Sequence, residues 1–409
     1  MGGRVTANLW LVVFGPFAAG YFLSFFFRNV NAMISKDLAA EFSLSASDLG
    51  FLTSMYLLAF AAFQLPLGVL LDRYGPRRVV AALLCIAALG AVTFALAKDF
   101  AMLSIGRALI GLGVSGGLMG AIKAFTLWFP LSRLATLNGL YLAAGGIGGL
   151  SATAPAEALL GPFGWRFLFF LLGGMSVAAS LLIFFVVPEK KLPGEGTSLR
   201  RQIAGFGEVF SSLAFWRIVL PLVICHGGYL ALQGLWLGPW LYDVAGEPRS
   251  AVAGYLFTTA VAYTIGSVFF GVTSDRLAAA GISRMTMFKL GLCVSVGAFC
   301  VLAAGIHAGL GFTLAIYGFT TISAALAYAL VTPLFPPEMT GRANTASNVL
   351  MFGVAFLFQW AVGAVLRLYP AVDGRYAPEG YVVALGILAA LQVAALAWLM
   401  PMRSPAARP

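Results

Sequence analysis

Long apolar runs, separated by short clusters of charged residues, glycine and proline, make up almost the whole chain. Twelve of these runs are long enough to cross a bilayer as helices, which takes about 20 apolar residues each. The runs are continuous and do not alternate at every second position, so they predict helices rather than barrel strands. The predicted spans are 9–34, 48–71, 79–97, 100–127, 135–160, 166–188, 215–241, 250–272, 286–305, 310–333, 343–368 and 379–400.

The longest hydrophilic stretch lies between the sixth and seventh predicted spans and carries the basic pair Arg200-Arg201. A polar stretch that divides the spans six and six is typical of a linker between two half-domains. We therefore predict an all-α integral membrane protein of twelve transmembrane helices in two six-helix, pseudo-symmetric bundles. Its parts are an N-terminal bundle over 1–188, a cytoplasmic linker over 189–214 and a C-terminal bundle over 215–409.

The composition agrees with a membrane protein and excludes several other classes. Hydrophobic residues make up 61% of the chain and charged residues 10%, and the mean hydropathy is +0.94. Soluble domains contain about 25% charged residues, so a soluble enzyme and a disordered chain are both excluded. Four cysteines in 409 residues are too few for a disulfide scaffold. The net charge of +10 is scattered between apolar runs, whereas nucleic-acid binding needs basic residues clustered on one face.

The distribution of lysine and arginine predicts the orientation in the membrane. An even number of spans places both termini on one side, and that side carries sixteen basic residues against six on the other. Basic residues are in excess in cytoplasmic loops. We therefore expect a multi-pass protein of the cytoplasmic (inner) membrane with both termini in the cytoplasm.

A short motif is repeated after the second span of each predicted half. The first copy reads Gly68-Val-Leu-Leu-Asp72-Arg73-Tyr-Gly75-Pro-Arg77-Arg78. The second copy, 203 residues later, reads Gly271-Val-Thr-Ser-Asp275-Arg276. Such an internal repeat indicates parallel structural repeats related by an axis along the membrane normal.

The first copy resembles the G-x-x-x-D-R-x-G-x-R-R signature of the major facilitator superfamily (MFS) at every position, and the second resembles its degenerate copy. Arg107, Gly111 and Gly113 in span four resemble the R-x-x-x-G-x-G element of the same family. The resemblance covers nearly the whole chain and implies a bacterial twelve-span secondary transporter, a monomer, that works by alternating access. It implies gating or conformational roles for Gly68, Asp72, Arg73, Gly75, Arg77, Arg78, Arg107, Asp275 and Arg276.

Enzymatic and ATP-driven functions lack the motifs that they require. The run from Gly111 to Gly117 formally contains a dinucleotide-binding and a hydrolase pattern, but each of these needs a strand before it and a helix after it. Both patterns lie inside one apolar run, where glycines suit close helix packing. We find no phosphate-binding loop, metal-ligand motif or cofactor motif, so we expect a transporter with no cofactor or metal and not an enzyme.

Cations within the first-half spans are candidates for substrate binding. A central arginine or lysine costs about 2.5–3.5 kcal/mol on an insertion scale, so its presence suggests a function. Arg28 shares a helix face with Tyr21, which is a candidate for substrate binding as well, and Lys123 lies nearer the cytoplasmic end of span four. The alternative for both cations is that the long side chain reaches the membrane interface.

Polar residues in the second half form two stripes. His226 and Gln233 are seven residues apart on span seven, and Asn348 and Gln359 lie on one stripe of span eleven, which is too polar for lipid. We predict that these four residues contribute to substrate binding. His226 is also the candidate proton-sensing group, because histidine titrates near neutral pH; the alternative is a histidine that only satisfies neighbouring backbone.

The acidic residues point to the class of substrate. None of them lies in the middle of a span, whereas exporters of organic cations usually use a buried carboxylate. We therefore predict a transporter of a small organic anion such as a carboxylate, with or without proton symport, whose partners are its substrate, protons and the lipid bilayer, and not nucleic acid. The alternatives are a proton-coupled exporter of amphiphilic or drug-like compounds, a membrane-embedded enzyme and a non-transporting receptor.

Overall fold

The chain is helical in a computed structural model that describes residues 9–130, 133–190, 206–371 and 375–402. A π-helical turn, Trp10–Phe14, leads into the first helix. The helices of the first part of the chain are α1 (Gly15–Asn29), α2 (Asn31–Phe42), α3 (Ala46–Ala95), α4 (Phe100–Val114), α5 (Gly117–Trp128), α6 (Leu134–Ser151) and α7 (Ala154–Val186).

The second part of the chain repeats this pattern of long helices with short breaks. A π-helical turn, Leu232–Trp236, separates α9 from α10, and 3₁₀ turns flank α14. The helices are α8 (Phe206–Ser211), α9 (Leu213–Ala231), α10 (Leu237–Asp243), α11 (Arg249–Ala279), α12 (Arg284–Ala303), α13 (Leu310–Thr321), α14 (Leu326–Val331), α15 (Pro337–Leu366) and α16 (Pro378–Leu399).

The contacts group the chain into two compact units. The first unit comprises 1–31 and 55–201, and the second comprises 32–54 and 202–409. In the first unit α1 packs against α6 and α7, and in the second α9 packs against α15 and α11 against α13. The predicted linker falls mostly on 191–205, outside the described residues, so the predicted boundaries of the two half-domains stay predictions.

The predicted all-helical membrane fold is confirmed, and the helix boundaries refine it. Ten helical segments in the described part of the chain are long and apolar enough to cross a membrane. One of them, α3, contains predicted spans two and three, joined at Gly75. The fifth span is predicted over 135–160, but α6 ends at Ser151, and the residues from Ala154 onward belong to α7. With α3 counted as two spans, and with α6, which is not among the ten segments, counted as one, the helices are consistent with twelve spans.

The bend in α3 explains why the repeated motif needs its second glycine. Gly75 has φ 79° and ψ 159°, a conformation that only glycine adopts readily. Pro76 follows at the start of the next helical segment, where its fixed φ suits the first turn and its missing N–H is not needed. The charged residues of the motif thereby lie between two apolar segments.

The described exposed surface of the long helices is largely apolar, as contact with lipid requires. Large apolar side chains lie open on helices of both units. They include Leu89, Ile147, Phe185, Ile265, Leu290, Leu357 and Ile387. A soluble protein rarely exposes apolar patches on this scale, and in a bilayer such side chains face acyl chains.

Two glycines of α6 give a stability prediction with a built-in control. A Cβ at Gly148 would lie far inside van der Waals contact of the Phe22 carbonyl oxygen on α1, whereas a Cβ at Gly139 meets nothing within 4 Å. We expect Gly148→Ala to destabilise the fold by about 1–3 kcal/mol through overpacking. Gly139→Ala is expected to stabilise it by up to about 1 kcal/mol through helix propensity.

Thermal unfolding of the two purified variants in detergent measures this difference. The apparent Tm should fall for Gly148→Ala and stay level or rise for Gly139→Ala. Equal Tm values for the two variants would contradict the close approach of α1 and α6.

Candidate functional site

Arg28, near the end of α1 in the first unit, is held over aromatic rings. Its guanidinium carbon lies 4.7 Å from the ring centroid of Phe25 and 5.4 Å from that of Phe60. The side chain is half-buried, so its charge is partly removed from solvent. Cation–π contacts of this kind become stronger as the cation is desolvated, and they orient the guanidinium.

Tyr21 lies two turns before Arg28 on the same helix. Its ring stacks on that of Tyr141 from α6, with centroids 4.3 Å apart. The Tyr141 hydroxyl donates a hydrogen bond of 2.7 Å to the Gly117 carbonyl oxygen at the start of α5. The stack therefore links three helices beside the face of α1 that carries Arg28.

Arg107 is fully buried and ties α4 to its neighbours. Its Nη1 donates a hydrogen bond of 3.0 Å to the Phe27 carbonyl oxygen, and its guanidinium lies 5.1 Å from the centroid of the Tyr56 ring. The Tyr56 hydroxyl in turn donates to the Ser24 carbonyl oxygen at 3.1 Å. These contacts support the conformational role that the family resemblance implies, which stays a prediction.

Lys123 of α5 forms an ion pair with Asp72 of the repeated motif. Both side chains are partly exposed, 24% for Lys123 and 39% for Asp72. Two residues that the sequence assigned to different roles thus lie together, at the end of α5 nearer the predicted cytoplasmic side. In this conformation the amine is directed toward the motif, which favours a gating role for Lys123 over substrate binding.

The arginines of the motif are anchored at the end of α7. Arg78 forms an ion pair of 2.6 Å with Glu189, and Arg77 lies 3.6 Å from the same carboxylate. The Nε of Arg77 also donates to the Phe184 carbonyl oxygen at 2.7 Å. These contacts fix the bend at Gly75 to the last span of the first unit.

The remaining gating candidates make fewer contacts among the described residues. Gly68 is half-buried on α3, and Arg73 is exposed with its guanidinium 5.2 Å from the Tyr74 ring. In the second copy of the motif Arg276 is exposed, while the side chain of Asp275 lies outside the described residues.

In the second unit the predicted histidine stands in an aromatic cluster. His226 Nε2 lies 3.4 Å from the Tyr263 hydroxyl. The Tyr263 ring stacks on Tyr229 at 4.9 Å with an interplanar angle of 7°, and Tyr229 lies 5.7 Å from Tyr317. We call His226, Tyr229, Tyr263 and Tyr317 the tyrosine cluster. It brings α9, α11 and α13 together around a titratable ring.

The three predicted amide side chains of the second unit, Gln233, Asn348 and Gln359, each make a hydrogen bond through one end of the amide group. Gln233, inside the π-helical turn, donates to the Leu256 carbonyl oxygen at 3.2 Å, and Gln359 donates to the Ala231 carbonyl oxygen at 3.4 Å. The Oε1 atoms of both glutamines are buried without a hydrogen-bond partner in the described part of the chain. Asn348 accepts a hydrogen bond of 3.3 Å from Tyr328. Orphaned acceptors of this kind are uncommon and often mark functional positions.

Sequence reasoning did not select the aromatic partners of Arg28 and Tyr21. Phe25, Phe60 and Tyr141 surround Arg28 and Tyr21, but phenylalanine is abundant in this chain and carries no signal by itself. Tyr56 and Phe60 are four residues apart and share a helix face. This spacing is the sequence feature that could have indicated an aromatic surface beside the cations.

The described residues hold no group of three or more His, Cys, Asp or Glu side chains that could bind a metal ion. Each unit offers aromatic rings around a polar group, which is Arg28 in the first unit and His226 in the second. Such an environment can bind a solute reversibly by charge pairing, stacking and hydrogen bonding.

Comparisons with known proteins place the chain in a family. It is 25% identical over 404 residues to a probable sulfoacetate transporter of Cupriavidus necator, with 93% of each chain covered. It is 24% identical over 404 residues to a probable L-galactonate transporter of Escherichia coli, with 93% of this chain and 83% of the relative covered.

The fold is shared with a solved structure. A bacterial homologue of the human lysosomal transporter Spinster, in an inward-facing and occupied conformation, superposes with a TM-score of 0.79 at 17% identity, covering 95% of this chain and 96% of the other. Residues 17–359 match the Major Facilitator Superfamily. The chain therefore belongs to the Major Facilitator Superfamily and is a membrane transporter, not an enzyme.

Proposed function

We propose that this secondary transporter moves a small organic anion across the cytoplasmic membrane together with a proton. The observation that carries the proposal is Arg28, a half-buried cation within a membrane span whose guanidinium is held over Phe25 and Phe60. An anion that reaches this guanidinium gains a charge pair in a medium of low dielectric, where such pairs are stronger than in water.

The charges around Arg28 favour an anion over a cation. Arg107, a further membrane-embedded arginine, donates a hydrogen bond to the Phe27 carbonyl oxygen of α1, next to Arg28. Described acidic residues of this unit lie at or near helix ends or in loops, at Asp72, Asp99, Glu157 and Glu189. An organic cation would need a mid-span carboxylate as its partner, and the described spans of this unit offer none.

The names of two relatives support the same class of solute. Sulfoacetate and L-galactonate, after which the two relatives are named, are small organic anions. At an identity of about a quarter, the two relatives support a chemical class of substrate rather than one particular substrate. That class, small organic anions, is the one that Arg28 also favours.

The remaining features of the proposal come from the sequence. The excess of basic residues on one side favours an orientation with both termini in the cytoplasm. The protein is proposed to lie in the inner membrane as a monomer. Gln233, Asn348 and Gln359 are the proposed neutral contacts to the substrate in the second unit. His226, in the tyrosine cluster, is the candidate proton-binding group that the sequence selects.

Uptake by proteoliposomes tests the proposal. We expect purified protein to accumulate labelled sulfoacetate or L-galactonate when the outside is acidic, and to lose this accumulation when a protonophore collapses the gradient. A lipophilic quaternary ammonium compound serves as the control and should not be transported. If the quaternary ammonium compound is transported in exchange for protons and neither anion is transported, the protein is instead a proton-coupled exporter of amphiphilic compounds.

A further inference from the structure

A cavity in the second unit surrounds an ion pair that the proposed function does not use. The cavity has a volume of about 430 Å³, and all of its described lining residues belong to that unit. Polar lining comes from Ser35, Lys36, Asp243, Arg375 and Tyr376. The volume falls in the usual range for small-molecule sites, about 300–1,000 Å³. Lys36, Asp243 and Arg375 all lie on the side that the charge distribution predicts to be outer.

Asp243, the last residue of α10, is a buried carboxylate with an incomplete set of partners. Its side chain is 1% exposed, and its Oδ1 lies 3.3 Å from Lys36 Nζ. Oδ2 accepts a hydrogen bond of 2.9 Å from the Tyr381 hydroxyl and one of 3.4 Å from the Tyr376 backbone N–H. Oδ1 accepts no hydrogen bond of regular geometry within the described residues, and it faces the Lys36 amine, so a proton bound at Oδ1 takes the place of that charge contact.

Lys36 is the more exposed partner of this ion pair and lines the cavity. Its side chain is 39% exposed, and its Nζ lies 4.2 Å from the centroid of the Tyr242 ring. The amine therefore stands between the buried carboxylate and the open cavity. When Asp243 is ionised it competes with any anion in the cavity for this amine.

Among the charged and titratable groups around the cavity, Asp243 is the one whose protonation we expect to change the charge of the cavity. Arg375 adds a cation to the cavity wall, and Tyr242, Tyr376 and Tyr381 contribute phenol groups. Burial, with the carboxylates of Asp243 and Asp48, raises the pKa of Tyr376 to about 12, so this hydroxyl stays neutral at physiological pH. Neutralising Asp243 would raise the charge of its cluster with Lys36 and Arg375 from +1 to +2, counting one unit for each group.

We propose that this cavity is an outer binding site for a small organic anion and a proton together, in which protonation of Asp243 releases Lys36 to pair with the anion. The proton comes from the outer solution and converts the carboxylate to a carboxylic acid. The Lys36–Asp243 pair is then replaced by a pair between Lys36 and the carboxylate or sulfonate of the substrate. This inference rests on the proposed function and adds a first binding step to it.

A neighbouring ion pair provides the matched control. Asp37, next to Lys36, forms a bidentate pair with Arg249, with both N–O distances 3.0 Å. Its side chain is 33% exposed, and it does not belong to the described cavity lining. Asp37→Asn removes an outer carboxylate just as Asp243→Asn does, but outside the cavity.

Protection of a cysteine in the cavity wall measures the occupancy of this site directly. Ala39 lines the cavity, and Ala39→Cys is introduced after the four native cysteines are replaced by alanine. Sulfoacetate is the probe, because its sulfonate stays ionised at every pH used. The concentration that half-protects this cysteine from a maleimide is expected to fall about tenfold for each pH unit lost, the limit for one proton bound per anion.

Substitutions of the ion pair test whether the cavity is the binding site. In Asp243→Asn, sulfoacetate should protect the introduced cysteine at every pH as well as it does in the parent at low pH, and in Asp243→Glu the protection should still depend on pH. Lys36→Met should raise the half-protecting concentration of sulfoacetate at least tenfold. Asp37→Asn, which lies outside the cavity, should behave as the parent does. Thermal unfolding of each variant confirms that it is folded.

Two outcomes would overturn the inference. One is a pH dependence that persists in Asp243→Asn; the other is sulfoacetate transport without any protection at position 39. The latter result leaves the proposed function standing. If sulfoacetate and L-galactonate are neither transported nor protective at any pH, the proposed function fails and the outer site fails with it.

Discussion

Replacing Arg28 with glutamine is expected to lower the initial rate of sulfoacetate uptake into proteoliposomes by about 100-fold or more. Removing one partner of a buried charge pair costs about 3–5 kcal/mol, because the other charge stays desolvated and uncompensated. Glutamine is shorter than arginine but keeps a hydrogen-bond donor, so comparison with the charge-retaining variant Arg28→Lys assigns the loss to the charge. The same variant tested with L-galactonate shows whether the effect belongs to anions as a class.

Two further variants make this result interpretable. Arg28→Lys keeps the charge but loses the flat guanidinium over Phe25 and Phe60, and we expect a higher KM with uptake still measurable. Arg166→Gln removes an arginine at the predicted outer end of a span, where it lies 4.4 Å from the Trp165 ring, and should leave uptake unchanged. Normal uptake by a folded Arg28→Gln protein would exclude Arg28 as the anion-binding group.

The sequence predicts the architecture well because membrane spans are set by local composition. Each apolar run must satisfy its own backbone hydrogen bonds in lipid, so its length and continuity are enough to predict a helix. The motif containing Gly75 and Pro76 predicts a break, and the bend in α3 lies at this glycine. The Ala152-Thr153 break after α6 was missed, because both residues are compatible with an apolar helix.

The candidate site is less predictable because it depends on partners that are distant in the chain. Lys123 meets Asp72 across 51 residues and Asp243 meets Tyr381 across 138. From the sequence, Asp243 is only one more acid at the outer end of a span. Its burial arises from tertiary packing that brings α2, α10 and α16 together, and helical periodicity within one span carries no information about such packing.

The ion pair between Lys123 and Asp72 predicts a loss of turnover rather than of binding. We expect Asp72→Asn and Lys123→Gln each to lower kcat for sulfoacetate uptake at least about tenfold, within the range of about 5–150-fold for a conformational coupling of 1–3 kcal/mol. The pair joins α5 to the bend in α3, so its loss changes the balance between conformations. KM should stay within about twofold, because a uniform loss of turnover leaves substrate binding intact.

Exchanging the two charges decides between gating and substrate binding at Lys123. The double variant Asp72→Lys with Lys123→Asp restores an ion pair in the reverse direction and should recover much of the lost kcat, whereas either half of the exchange alone places two like charges together. If Lys123 instead binds the anion, Lys123→Gln raises KM. The exchange then fails to restore uptake, because it places a carboxylate where the substrate's own negative charge must bind. Initial rates measured across a range of sulfoacetate concentrations separate these two roles, since gating acts on kcat and binding acts on KM.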